Sequence, residues 1–272
     1  MSRYIAAIAC VFCVSLAACE IISSSSSTVS PSDKAKSTAP LNAQLSSAST
    51  EKLSPQAVKK LHQYAQKITV KVMSQDFLGS GIILQKKESV YTVLTNAHVL
   101  RAGEAPYRIQ TSDGQIWNAH IPKKYPSLKQ NFAQGHDLAV LTFHCDRQVY
   151  PVATFGKQPQ VGESVFVAGF PYIEDSTHKQ KLVFNSGKIS LLLPKPLEGG
   201  YQIGYTNDIQ KGMSGGPLLN QQGQVVGVNG MHAYPLWDSP SVFMDGSEAE
   251  ETLHKKINRL SWAVPIEKVI SK

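Results

Sequence analysis

Cysteine is scarce in this chain and unevenly placed. Four occur in 272 residues, and three of them, Cys10, Cys13 and Cys19, stand within the first 19. Loss or modification of that segment leaves Cys145 alone, and one thiol closes no internal disulfide. Stability must then come from a packed core, for which 42% hydrophobic residues are ample. No run of eighteen or more apolar residues occurs, so no ordinary membrane-spanning helix is expected. Dense basic runs are also missing. The 27 Lys and Arg outnumber the 20 acids only modestly, and their lysines are scattered. Removal of Arg3 with the first segment would leave a net charge of +6. That balance argues against nucleic acid as a partner. It leaves room for weak attraction to anionic membrane or wall polymers. No internal repeat is present.

The first residues read as an export signal, with Arg3, an apolar stretch from Tyr4 to Leu16, and small residues after it. The ending Leu16-Ala17-Ala18-Cys19 resembles a bacterial lipobox, in which the cysteine is lipidated and becomes the first mature residue. Residues 1–19 are therefore expected to be a lipoprotein signal, with Cys19 as the lipidation site. The mature protein would be exported and held on the membrane of the cell envelope, on its periplasmic or extracellular face. Anchoring by acyl chains makes such a protein peripheral rather than spanning. Residues 20–54 form a Ser-rich linker, with an unbroken serine run from Ser23 to Ser27. Its apolar content is too low to offset the entropy of ordering.

Order is expected from residue 55 onward, in a single domain over 55–272. Ser54 suits an N-cap and Pro55 the first helical position. Val58, Leu61 and Ala65 recur at helical spacing, so 55–66 reads as a short helix. From residue 67 the period becomes that of strands. Twelve candidates follow: 68–73, 80–85, 90–95, 107–111, 115–121, 138–143, 164–169, 182–190, 201–206, 216–220, 224–230 and 260–264. They are short, rich in Val, Ile and Tyr, and separated by turn residues, which indicates antiparallel all-β architecture. Twelve strands make two six-stranded barrels. Ser247 with Glu250 has the spacing of a capping box, ahead of Leu253, Ile257 and Leu260. Ile266, Val269 and Ile270 suggest a last helical turn.

Three local patterns carry chemistry. Gly212-Met213-Ser214-Gly215-Gly216-Pro217 surrounds a serine with glycines. A serine hydroxyl attacks poorly unless a base takes its proton. Glycines let it stand clear and let the turn adopt geometry closed to other residues. The amides of Gly212 and Ser214 can then share one hole for a developing oxyanion. Thr95-Asn96-Ala97-His98 closes a strand-like run and sets His98 where a strand leaves its sheet. Asp137 opens the buried run Leu138 to Leu141, so its carboxylate belongs at a barrel rim. Taken singly, the histidine and the aspartate have commoner structural explanations. Their order, His then Asp then Ser, is what gives them weight.

That combination resembles the chymotrypsin-like serine proteases, especially the bacterial V8-like and HtrA-like trypsin-type branch, over roughly residues 66–266. The resemblance implies two barrels with the active site between them. It implies a serine endopeptidase acting on protein substrates, with no cofactor and no metal. His98 would be the general base, Asp137 its orienter and Ser214 the nucleophile. Gly212 and Ser214 would form the oxyanion hole, and Val228, Asn229 and Gly230 would pair with substrate backbone. Departures are informative too. Val99 stands where animal members carry a disulfide cysteine. Met213 stands where they carry an aspartate that pairs with a new N-terminus, so activation by N-terminal cleavage is not expected. No long segment follows the domain, so no PDZ domain is expected. A non-catalytic scaffold and a non-proteolytic acyl hydrolase are the competing readings. A non-catalytic scaffold needs none of these features together, and the acyl-hydrolase reading lacks the α/β alternation that would carry a nucleophile elbow.

Specificity pulls two ways. Asp208 lies six residues before Ser214, where trypsin-like members keep an acid for Lys or Arg. Met231 falls near the pocket wall and would narrow it for apolar residues. An ionised carboxylate buried without a partner is costly, which favours an Asp208 that points away. His232 is a weaker candidate, for acidic side chains. Residues 232–259 are longer than a hairpin requires. They carry Pro235, Trp237, Pro240 and the acids Asp245, Glu248, Glu250 and Glu251, and should border the cleft. Oligomeric state is not readable from the sequence.

Overall fold

The computed structural model describes residues 53–123, 135–173, 180–234 and 239–270. The signal segment, Cys19, most of the linker, and Pro235 and Trp237 lie outside them. Helix α1 runs Pro55–Ile68, and Ser54 caps it by accepting from the Ala57 amide at 3.2 Å. Its buried face, Leu61, Ala65 and Ile68, is the stripe that the i, i+4 spacing set out. At its end Thr69 turns the chain into a strand, and its hydroxyl closes back on the Ala65 carbonyl at 2.7 Å.

All twelve strands form, in two closed antiparallel barrels. The first takes β1 (Thr69–Met73), β2 (Phe77–Lys87), β3 (Val90–Thr95), β4 (Tyr107–Gln110), β5 (Ile116–His120) and β6 (Ala139–His144). Their order around the barrel is β1-β2-β3-β6-β5-β4. The second takes β7 (Ser164–Gly169), β8 (Val183–Leu192), β9 (Ile203–Tyr205), β10 (Pro217–Leu219), β11 (Val225–Met231) and β12 (Ser261–Pro265). These run β10-β11-β12-β9-β8-β7. Closure leaves neither barrel with a free edge.

Register sorts the side chains into two cores. Ile83, Val93 and Leu141 sit in line across β2, β3 and β6 and fill the first barrel. The adjacent row, Ile82, Leu94 and Val140, points the other way. It joins Phe166, Ala168 and Val228 of the second barrel in a seam cluster. Both faces of these strands are buried, so they read as continuous apolar runs. Each such side chain contributes about 1.5–3 kcal/mol on burial. The seam holds the barrels together, and α1 packs into the same cluster. Tyr64 on α1 adds two bonds to the connector between barrels, donating to the Val152 carbonyl and accepting from the Thr154 amide.

Two helical details differ from expectation. A short helix α2 (Ala97–Arg101) follows β3, so His98 stands in a helical turn beyond the strand end. Ser247 does not cap a helix. Helix α3 spans Glu251–Ile257, and Glu250 occupies its N-cap without a side-chain cap bond. The Ser247 hydroxyl is taken by nearer partners: it donates to Asp245 Oδ1 at 2.6 Å and accepts from Lys195 Nζ at 2.5 Å. A final helix, α4, covers Glu267–Ile270. No helix among the described residues is long and apolar enough to cross a membrane.

Candidate active site

The register of β3 with β6 brings a histidine and an aspartate together. Thr95 pairs with Ala139, so the residues just past β3 and just before β6 share one rim. His98 and Asp137 are those residues. Asn96 fixes the corner by donating Nδ2 to the Asp137 carbonyl at 2.7 Å. Asp137 is 9% exposed and its carboxylate is well supplied with donors. Its Oδ1 accepts the His98 amide at 2.8 Å, and its Oδ2 meets His98 Nδ1 at 2.5 Å. Arg101 Nη2 lies 3.9 Å from Oδ1. Burial pushes the Asp137 carboxyl up, but the His98 bond and charge and the Tyr201 hydroxyl outweigh it and hold it below the usual carboxylate value. An ionised acid facing Nδ1 leaves Nε2 as the basic nitrogen of the imidazole.

Ser214 comes from the second barrel, in the turn before β10. Gly212 and Gly215 there have φ of +93° and +86°. A Cβ on Gly212 would stand 2.6 Å from the Tyr172 nitrogen, and one on Gly215 only 2.1 Å from the Ser80 carbonyl. Glycine is therefore required twice, for conformation and for space. Met213 is fully buried, packs over Gly169 and accepts the Gln210 amide on sulfur at 3.5 Å. Apolar packing thus anchors the serine turn from within the barrel. Among the described residues, the amides of Gly212 and Ser214 have no protein acceptor. The Ser214 hydroxyl donates to the Gly230 carbonyl at 3.4 Å and makes no bond to His98. Such bonds are often long before substrate arrives.

Two residues that sequence reading passed over bind these parts together. Ser80, on β2 of the first barrel, donates its amide to the Ser214 carbonyl at 2.9 Å. Its hydroxyl donates to the Gly212 carbonyl at 2.8 Å and accepts from the Phe170 amide at 2.9 Å. The available signal was Gly79-Ser80-Gly81, since glycines inside a strand mark close approach of another backbone. The strand begins at Phe77, three residues before the expected start, and so takes in Gly79. Tyr201, on the second barrel's side, donates to Asp137 Oδ2 at 2.5 Å. Nothing in its sequence setting set it apart from a strand tyrosine.

Residues 79–228 match the trypsin-like peptidase domain. The chain belongs to that family. The serine protease Do-like HtrA of Bacillus subtilis is 32% identical over 158 residues, covering 56% of this chain and 33% of that protein. The mitochondrial serine protease HTRA2 of Bos taurus is 27% identical over 186 residues, covering 68% and 37% respectively. The chain spans about a third of the length of the curated relatives it matches. A serine endoprotease structure from Yersinia pestis shares the fold, with a TM-score of 0.54 at 21% identity over 80% of this chain and 66% of that one.

In this trypsin-like peptidase domain the residues expected to meet substrate divide. Val228 and Asn229 are fully buried and committed internally, which corrects the expectation for them. Val228 is paired on both sides, with Pro217 and Val264. The Asn229 backbone bonds Gly215 and Gly216, and its side chain bonds Pro217 and Tyr205. Gly230 and Met231 remain partly exposed beyond the end of β10. Asp208 is exposed, and its carbonyl accepts from Asn185 Nδ2 at 2.8 Å. It forms no buried pocket floor, as the cost of an unpaired buried carboxylate requires.

Two cavities flank the reactive groups. One, of about 600 Å³, is lined by His98, Tyr201, Met231, His232, Ser241 and Asn258. The insertion thus borders the cleft, and buried Phe243 pins it to Leu197. The other, of about 530 Å³, is lined by Phe77, Gly103, Tyr172, Lys211 and Gly212. One cavity adjoins His98 and the other Gly212.

Proposed function

We propose that this chain is a serine endopeptidase that hydrolyses peptide bonds of exported or surface proteins. The observation that carries it is the 2.5 Å bond from His98 Nδ1 to Asp137 on one rim, set against a serine held in a positive-φ glycine turn. Ser214 Oγ attacks the scissile carbonyl carbon, and His98 Nε2 takes its proton. Asp137 keeps its charge and stabilises the imidazolium. The oxyanion is held by the amides of Gly212 and Ser214. His98 then protonates the leaving amine, and an acyl-enzyme on Ser214 remains. Water, activated by the same base, releases the acid and restores the serine. Flanking cavities suit an extended polypeptide lying across the triad. The exposed position of Asp208, with Met231 beside the cleft, supports an apolar residue before the scissile bond over Lys or Arg.

Labelling by a fluorophosphonate probe followed by cleavage of casein tests this reading. The wild type is expected to do both, and Ser214→Ala neither, with a fall on the order of 10⁶ in kcat. Absence of labelling in the folded wild type would instead identify a binding module. Labelling with ester but no peptide cleavage would identify an acyl hydrolase. Cleavage dominated by sites after Lys and Arg, and lost on Asp208→Ala, would overturn the apolar preference.

The lipobox-like ending at Cys19 supports a lipidated N-terminus, with the Ser-rich segment as tether between membrane and peptidase. Substrates would then be met at the envelope surface. Intact-mass analysis of the protein from membranes is expected to show acyl groups on Cys19. An unmodified cysteine removes the anchor from the proposal.

A further inference from the structure

We propose that Tyr201 is a positioning residue of the acid–base pair, a phenol from the second barrel that fixes the Asp137 carboxylate of the first against His98. This rests on the triad reading above and goes beyond it. Asp137 Oδ2 is shared by two donors, His98 Nδ1 and Tyr201 Oη, each at 2.5 Å. Oδ1 takes the His98 amide at 2.8 Å. With both oxygens claimed, the carboxylate cannot turn about its Cβ–Cγ bond. The phenol thereby sets which lone pair faces the imidazole.

The surroundings are shaped to admit that hydroxyl. Tyr201 is 6% exposed, and Asp137 Oδ2 is the hydrogen-bond partner of its Oη. It ends a tight turn in which Gly200 donates to the Leu197 carbonyl and Leu197 to the Tyr201 carbonyl. Gly199 and Gly200 have φ of +80° and +83°. The Gly199 carbonyl accepts the Asp137 amide at 2.8 Å, so one turn grips Asp137 at backbone and carboxylate together. A Cβ on Gly200 would meet the His136 ring at 2.6 Å. On the other side, a Cβ on Gly230 would stand 2.2 Å from the Tyr201 oxygen. The same Gly230 offers its carbonyl to Ser214 Oγ. Space for the phenol has been cleared between the acid and the strand beside the nucleophile. A ring that only filled a gap would need none of this at its para oxygen.

Chemically, a donor to the charged form keeps the acid ionised while His98 carries the proton. Burial and the nearby Asp137 charge raise the Tyr201 hydroxyl well above its ordinary value, so it stays a neutral donor. The other groups about the carboxyl are His98 and Arg101 on α2 and His136 beside it, with Glu198 on the adjoining cavity wall. Because the donor comes from the opposite barrel, the acid is fully set only where the barrels are docked.

The test compares wild type, Tyr201→Phe, Asp137→Asn and the double variant, each brought to the same folded concentration by circular dichroism. Tyr201→Phe is expected to lower kcat about tenfold, with KM within about twofold. The acid limb of kcat/KM should move to higher pH, because a carboxylate without its phenol donor turns more of its charge on His98 and holds the imidazolium more tightly. In the Asp137→Asn background the same substitution should have no further effect. Replacement of Tyr201 by 3-fluorotyrosine keeps shape and hydroxyl but donates more strongly, and should move the acid limb to lower pH. This variant decides the matter if Tyr201→Phe yields no folded sites. An active wild type with kcat and pH profile unchanged in these variants overturns the role of Tyr201 alone. A tenfold loss that persists undiminished on Asp137→Asn also overturns it. A wild type that neither labels nor cleaves overturns the peptidase reading and this role with it.

Discussion

The two barrels hold the residues of the proposed triad by different means. The first fixes His98 and Asp137 with side-chain hydrogen bonds, after strand register has brought them to one rim. Its interior is bulky and aromatic, with Tyr91 stacked on Phe143 at 5.1 Å and edge-on to Tyr150 at 5.6 Å. The second fixes Ser214 through backbone conformation, in a turn where glycines meet neighbouring main chain at close range. Its interior is largely aliphatic around Met213. An acid–base pair must have its charges and proton positions specified, which hydrogen bonds do. A nucleophile with an oxyanion hole must have amides and an oxygen aimed at one point, which backbone geometry does. The first barrel should therefore be sensitive to changes of charge at constant shape. The second should be sensitive to changes of shape at constant charge.

Asp137→Asn is the sharpest probe of the first half. It keeps shape, loses charge and permits the wrong imidazole tautomer. A fall on the order of 10⁴ in kcat is expected, with the fold intact by circular dichroism. Near-normal turnover would mean that charge is not what the first barrel supplies. Gly212→Ala probes the second half by adding one methyl and no charge. At φ +93°, with the Tyr172 nitrogen and Phe170 carbonyl within 2.7 Å of the new atom, the turn must shift. A loss of about 10² or more in kcat is expected, comparable to losing one oxyanion donor. Unchanged turnover would dismiss the steric account.

The smallest effect is on stability against pH. Asp137 is held below its ordinary value in the folded state. Such a group stabilises the fold above the ordinary carboxylate range, and the contribution is lost as pH falls through the folded value. The Tm of wild type relative to Asp137→Asn should therefore be largest near neutrality and shrink below about pH 4. One kcal/mol corresponds to about 2–4 °C in a domain of this size. A gap that widened on acidification would contradict the sign.

Much of the fold was readable because its signals are local. All twelve strands announced themselves by composition and turn residues, with boundaries that differ from the structure by a few residues at most. Ser54 and Pro55 marked α1 through a bond three residues long. Reading failed where a residue has competing partners. Ser247 had the spacing of a cap, but Lys195, 52 residues away in sequence, and Asp245 claim its hydroxyl. Val228 and Asn229 carried the family pattern for substrate pairing, yet neighbouring strands and the serine turn use their backbone.

Composition and spacing were enough for the architecture and for three residues in a telling order, because strand period, glycine freedom and nucleophile chemistry depend on a few consecutive residues. Folding in three dimensions supplied what links them. Ser80 reaches across 132 residues to Gly212, and Tyr201 across 64 to Asp137. No local pattern encodes such pairs. They exist because closing two barrels against one seam forces their rims together, and buried polar groups there must find each other or remain unpaired.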